Sequence, residues 1–101
     1  MLITQACNDI LKFTENITYE EVAKNKLIRY AVERQLLVIG EAANHLSGEF
    51  TKHCSHIPWK HIIGLRNIIA HDYGEILVDR IWITVKSNIK ELYDNLIIYV
   101  D

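Results

Sequence analysis

The run Arg66-Asn67-Ile68-Ile69-Ala70-His71-Asp72-Tyr73 puts three chemically able side chains into eight residues. A guanidinium stays charged at any physiological pH and can hold a phosphate by two parallel hydrogen bonds. An imidazole exchanges protons near neutrality. A phenol offers a hydroxyl that can be modified. Arginine plus histidine is the minimal set for metal-free phosphate chemistry, one group holding the anion and the other moving the proton. A plain structural role is also open to each: Arg66 as a surface charge, His71 as a helix end, Tyr73 as a packing aromatic.

Helical geometry limits what these residues can do together. At roughly 100° per residue, Arg66 and His71 lie about 140° apart around an ideal helix. They converge on one target only if the helix ends near His71 and the chain turns, or if a second copy completes the site. Gly74 permits the first. Asn67 and His71 are four apart, so the amide can orient the imidazole. Arg66 and Tyr73 would share a face if the helix continued.

The elements that must position the run read as helices. One proline and four glycines in 101 residues are too few for a turn-dense β fold. The length suits one domain, residues 1–101. A first helix is expected over Leu2–Phe13, with Ile3, Ala6, Cys7, Ile10 and Leu11 inward. Thr18 to Glu21 forms a capping box for a short helical turn. A long second helix follows from Asn25 to Ser47, and Gly48 is placed to end it. The stretch Glu49–Ile57 reads as a polar connection, and Pro58 suits the first turn of a third helix ending near His71. Asp79 could cap a fourth, with Trp82, Val85, Ile89, Leu92 and Leu96 inward. Its end, Leu96 to Val100, is apolar all round, which implies burial on more than one side and a partner surface.

Composition excludes several classes. The net charge of −2 argues against a protein that coats polyanions, although a local basic site stays possible. Cys7 and Cys54 make no disulfide framework, which fits a reduced, cytoplasmic setting. No secretory leader pattern and no membrane-length apolar run is visible, so no membrane partner is expected. His53, Cys54, His56 and His61 cluster, but their spacing matches no closed zinc site, and no metal or other cofactor is expected. Glu41, between the small residues Gly40 and Ala42, either faces the motif and positions Arg66 or His71, or is an ordinary exposed glutamate. Trp59 and Trp82 read as packing anchors, and Lys24, Lys26, Arg29 and Arg34 as a solvated helix face interrupted by Glu33 and Glu41.

Arg66, His71 and Tyr73 match the R-x-x-x-x-H-x-Y pattern of the HepT-like branch of the HEPN superfamily, known as the toxin of MNT/HepT toxin–antitoxin pairs. Ala31 to Leu36, Ile39 to Ala43, Ile57 to Lys60 and Gly64 to Asn67 also resemble that branch, so the likeness covers nearly the whole chain. The one departure is a start several residues shorter than the usual first helix. The resemblance implies an all-α, four- to five-helix up-down bundle of HEPN type that forms a homodimer. It implies a metal-independent endoribonuclease with Arg66 and His71 catalytic; Asn67 and Glu41 are the supporting residues that spacing alone offers beside them. It also implies a minimal nucleotidyltransferase partner that silences the toxin by transferring AMP to Tyr73. The alternative it leaves open is a non-catalytic nucleotide-binding or scaffold subunit of such a partner.

The implied chemistry is sound for RNA, which carries its own 2′-OH nucleophile. A neutral His71 can take that proton, and Arg66 can stabilise the phosphorane-like charge. Cleavage then leaves a 2′,3′-cyclic phosphate. Each chain offers one motif histidine, whereas the reaction needs a base and an acid. Two Arg–His pairs facing one groove would supply both.

Overall fold

The computed structural model describes residues 1–100. Helix α1 spans Leu2–Phe13, α2 Tyr19–Lys24, α3 Lys26–Asn44, α4 Gly48–His53, α5 Trp59–His71, α6 Gly74–Ile83 and α7 Ile89–Leu96. A π-helical turn, Thr84–Asn88, joins α6 to α7 without leaving right-handed helical backbone, so Gly74 to Leu96 form one long rod. A 3-10 turn, Ile97–Tyr99, follows. No strand is present among the described residues, and the expected all-α bundle of four long helical segments is the architecture found.

Helix α3 is the centre. It packs against α1 on one side and α5 on the other, and α1 in turn packs against α7. The order around the bundle is therefore α5, α3, α1, α7. The smallest molecular dimension, 18 Å, is about two helix diameters, which makes the bundle two layers thick. Ile3, Ile10, Val32, Leu36, Ile39, Ile81, Ile89 and Leu96 are sealed in the middle. Each recurs at helical spacing on its own element, so burying these faces against one another drives assembly. Between α5 and the rod the wall stays open as a cleft of about 390 Å³, floored by Ile62, Leu65, Ile89 and Leu92.

The helix ends follow local chemistry. The Thr18 hydroxyl accepts the Glu21 backbone N–H at 3.2 Å, half of the expected capping box. In place of the other half, in which the carboxylate would take the Thr18 backbone N–H, Glu21 accepts the Thr18 hydroxyl at 3.3 Å. Asn25 caps α3 by accepting from Leu27 and Ile28 N–H at 3.0 and 3.3 Å. Three sequence expectations need correction. Gly48 does not stop α3, which ends at Asn44; it opens α4, capped by Ser47 accepting the Phe50 N–H at 3.1 Å. The expected polar connection therefore begins as a helix. Its Phe50 stacks edge-on to Tyr99 at 5.6 Å, so the apolar C-terminal run is partly covered from within the chain. Asp79 does not cap a helix, because α6 starts five residues earlier; its carboxylate instead accepts the Tyr19 hydroxyl, tying α2 to α6.

The π turn has a local cause. Ile81, Ile83, Thr84 and Val85 are β-branched residues that crowd an α-helix. The Thr84 hydroxyl also donates to the Arg80 carbonyl at 2.8 Å, a contact that commonly bends helices. No helix among the described residues is long and apolar enough to cross a membrane.

Candidate functional site

Helix α5 presents the motif. Its inner face is held by Ile62 and Leu65, both buried, which turns Asn67 and His71 outward. Arg66 sits on the flank that meets α3. Its stem lies directly across Gly40: a Cβ built on that glycine would stand 2.6 Å from Arg66 Cγ and 3.4 Å from the Ile62 carbonyl. Only a residue without a side chain lets α5 and this arginine approach so closely. From that seat Arg66 donates through Nη1 to Glu41 Oε1 at 3.2 Å. A longer bond of 3.4 Å runs from its Nε to the Ile63 carbonyl. Glu41 is itself exposed and at the same time pairs with Arg66, so it stands beside the motif, and Gly40 and Glu41 together form the socket for Arg66.

His71 is the last residue of α5 and is exposed. The helix stays regular to that point, so the angular separation of about 140° from Arg66 persists. The chain turns only afterwards. Asp72 and Tyr73 are extended, and Gly74 takes a φ of +58°, a left-handed value that glycine adopts without strain. Gly74 thus sits in the turn between α5 and α6 as the first residue of α6. Asp72 Oδ2 lies 3.0 Å from Arg80 Nε across this turn, an ion pair without hydrogen-bond alignment. Tyr73 precedes α6 and is 78 % exposed, so its hydroxyl is open to solvent. It does not share a helical face with Arg66, because the helix ends between them.

Asn67 lies between Arg66 and His71 on the outward surface of α5, about 40° from the histidine on the helical wheel. On α6 two large apolar side chains, Ile76, 62 % exposed, and Ile83, 58 % exposed, lie seven residues apart on the outer surface, with the exposed Asp79 and Arg80 between them. Nothing in the sequence motif marks this pair; their spacing of seven becomes readable as one helical face once α6 is known to begin at Gly74. The histidine-rich segment disperses: Cys54 is fully buried, His53 meets Tyr99 edge-on at 5.8 Å, and His56 and His61 line the cleft between α5 and the rod.

With that geometry in view, comparison with known proteins is decisive. The pattern of the family described as Ribonuclease HepT-like matches residues 3–97. The chain belongs to the HepT-like ribonuclease family. Among relatives of this HepT-like chain, a Methanocaldococcus jannaschii protein named as a candidate RNase, MJ1380, is 40 % identical over 90 residues, covering 89 % of this chain and 83 % of that protein. A candidate RNase of Caldanaerobacter subterraneus subsp. tengcongensis, TTE0752, is 34 % identical over 90 residues, covering 89 % and 80 %. A candidate ribonuclease HepT of Thermococcus cleftensis is 33 % identical over 90 residues, covering 89 % and 82 %. No solved structure gives a significant match.

Proposed function

We propose that this HepT-like chain is a metal-independent endoribonuclease that works as a homodimer and serves as the toxin of a toxin–antitoxin pair. The observation that carries the reading is the fixed Arg66. An arginine seated over Gly40 and paired with Glu41 is held in place on the same helix as an exposed histidine.

In the proposed reaction, a neutral His71 ring nitrogen takes the proton of an RNA 2′-OH. The 2′-oxygen then bonds to the adjacent phosphorus. Arg66 stabilises the negative charge that builds on the phosphoryl oxygens, the largest single contribution such a site makes. The bond to the 5′-oxygen breaks, and that oxygen takes a proton from an imidazolium. The products are a 2′,3′-cyclic phosphate and a 5′-hydroxyl. Because Arg66 and His71 diverge on one helix, a second copy supplies the opposing pair. The exposed Ile76 and Ile83 on α6 form the surface proposed to bring two copies together. The substitution Ile83→Glu then yields a monomer by sedimentation and abolishes cleavage; a dimer of unchanged activity would overturn that assignment.

Silencing is assigned to Tyr73. Its hydroxyl attacks the α-phosphorus of ATP on a minimal nucleotidyltransferase partner, pyrophosphate leaves, and the phenolic proton passes to solvent. The new phosphodiester adds negative charge two residues from His71, where it competes with RNA phosphate for Arg66. Intact mass after incubation with that partner and ATP tests this: one added AMP on wild type and none on Tyr73→Phe. A second reading, a non-catalytic subunit of the nucleotidyltransferase, draws on the net charge of −2 and the exposure of Tyr73. It predicts adenylation without any cleavage of RNA.

A further inference from the structure

A second concavity, about 470 Å³, lies where the α2–α3 junction meets the start of α6. Three phenol rings line it: Tyr19 from α2, Tyr30 from α3 and Tyr73. Tyr19 is fixed, by its hydroxyl on Asp79 and its edge-on contact with Trp82 at 5.9 Å. Tyr30 is 55 % exposed and Tyr73 more so, leaving both with free aromatic surface. Arg29 stands over the Tyr30 ring at 5.6 Å from its centre. Its guanidinium is already engaged, donating to the Ala23 carbonyl at 2.8 Å and pairing with Glu33 Oε2 at 3.5 Å. Glu33 is thereby held in the wall, with its other carboxylate oxygen able to accept.

These groups suit a nucleobase and not a phosphate. Flat π surface binds any unstacked base, and single-stranded RNA is recognised by stacking its splayed bases on such rings. A carboxylate repels phosphate but accepts the N–H donors of a base edge. Guanine fits best, because its N1–H and N2–H donors lie side by side and match the two oxygens of a carboxylate, Oε2 keeping a second lone pair beyond its 3.5 Å contact with Arg29. The position is also right. Helices α3 and α5 run antiparallel, since Gly40 meets Arg66 while Tyr30 and Glu33 share a cleft with Tyr73. Along α3, Tyr30 is about 16 Å from Glu41, at 1.5 Å per residue. The cleft thus sits one to a few nucleotides from the phosphate that Arg66 and His71 would hold.

We propose that the cleft walled by Tyr30, Tyr73 and Glu33 is a base-binding subsite that takes an unstacked guanine of the RNA near the scissile phosphate. The proposal rests on the ribonuclease reading, and the test separates the two. The probes are two short fluorescent 2′-O-methyl RNAs, which cannot be cleaved, one carrying a single guanine in a uridine run and the other adenine in its place. Binding is read by anisotropy, with circular dichroism as the check on folding.

The wild-type chain binds the guanine probe more tightly than the adenine probe. Tyr30→Ala weakens binding about tenfold, the effect of losing one stacked base, and Tyr30→Phe restores it. Glu33→Gln removes the guanine preference while leaving Arg66-dependent binding intact. Equal affinity of folded Tyr30→Ala and wild type overturns the proposal. So does a preference for adenine, which would assign the cleft to the adenosine of a Tyr73 adenylate. Guanine-selective binding by a chain that leaves ordinary RNA uncut supports the subsite and removes only the catalytic reading.

Discussion

Replacing Gly40 by alanine tests whether Arg66 is placed by the glycine socket. The added Cβ would stand 2.6 Å from Arg66 Cγ, whereas carbon atoms pack at about 3.5–4.0 Å. Arg66 Cγ must therefore retreat by about 1 Å. Because Cγ is near the root of the side chain, the guanidinium moves with it and leaves Glu41. A misplacement of about 1 Å at a catalytic group lowers rate by about a hundredfold. Stability moves little: the gain in helix propensity of about 1 kcal/mol is set against about 1–3 kcal/mol of overpacking. The assay is RNA cleavage rate together with thermal melting, in the wild-type and the Arg66→Ala backgrounds. Once Arg66 is shortened, the nearest remaining neighbour is the Ile62 carbonyl at 3.4 Å, an ordinary contact. In that background Gly40→Ala stabilises by up to about 1 kcal/mol and does not change the residual rate. Wild-type cleavage by Gly40→Ala, or the same destabilisation in both backgrounds, would refute the reasoning.

Three further outcomes are expected. Glu41→Gln keeps the melting temperature nearly unchanged, because a half-exposed ion pair contributes about 0–1 kcal/mol, but lowers kcat more than it raises KM; a pure KM effect would show that Glu41 does not position Arg66. Burial pushes the Cys7 thiol up to about 12 and Cys54 is fully enclosed, so neither reacts with a thiol reagent in the native chain at pH 8, and rapid labelling before unfolding would contradict the packing. Burial also raises the Glu33 carboxyl, with Arg29 opposing. Its protonated form is favoured in the folded state, so its stabilising contribution is complete below the ordinary carboxylate range and is lost as pH rises through the raised value. The melting temperature of Glu33→Gln relative to wild type should therefore climb between pH 4 and pH 7, and a fall over that range would reverse the sign.

Long elements were legible in the sequence because periodicity accumulates with length. Helix α1 has the expected bounds, and Ile3, Ala6, Cys7 and Ile10 are buried on its inner face as expected. Helix α4 was not legible, since six residues hold too little period to outweigh a glycine that reads as a stop. The start of α6 was missed for a related reason. Asp79 is a strong capping type, but tertiary pairing with Tyr19 claims it instead. At the site, residue types and spacing pointed to Arg66, His71 and Tyr73. The contact between Gly40 and Arg66 spans 26 residues and has no local signature. Only the small residues around Glu41 hinted that another helix comes close there. The base-binding cleft joins three separate helices and leaves no pattern along the chain.

The most direct test of the account is cleavage of RNA by the purified, unmodified chain in the presence of a metal chelator, compared with Arg66→Ala and His71→Ala. The wild-type chain is expected to yield fragments ending in 2′,3′-cyclic phosphate, with at least about a hundredfold loss in each folded variant. RNA left intact by a folded wild-type dimer, or cut equally well by either variant, would contradict it.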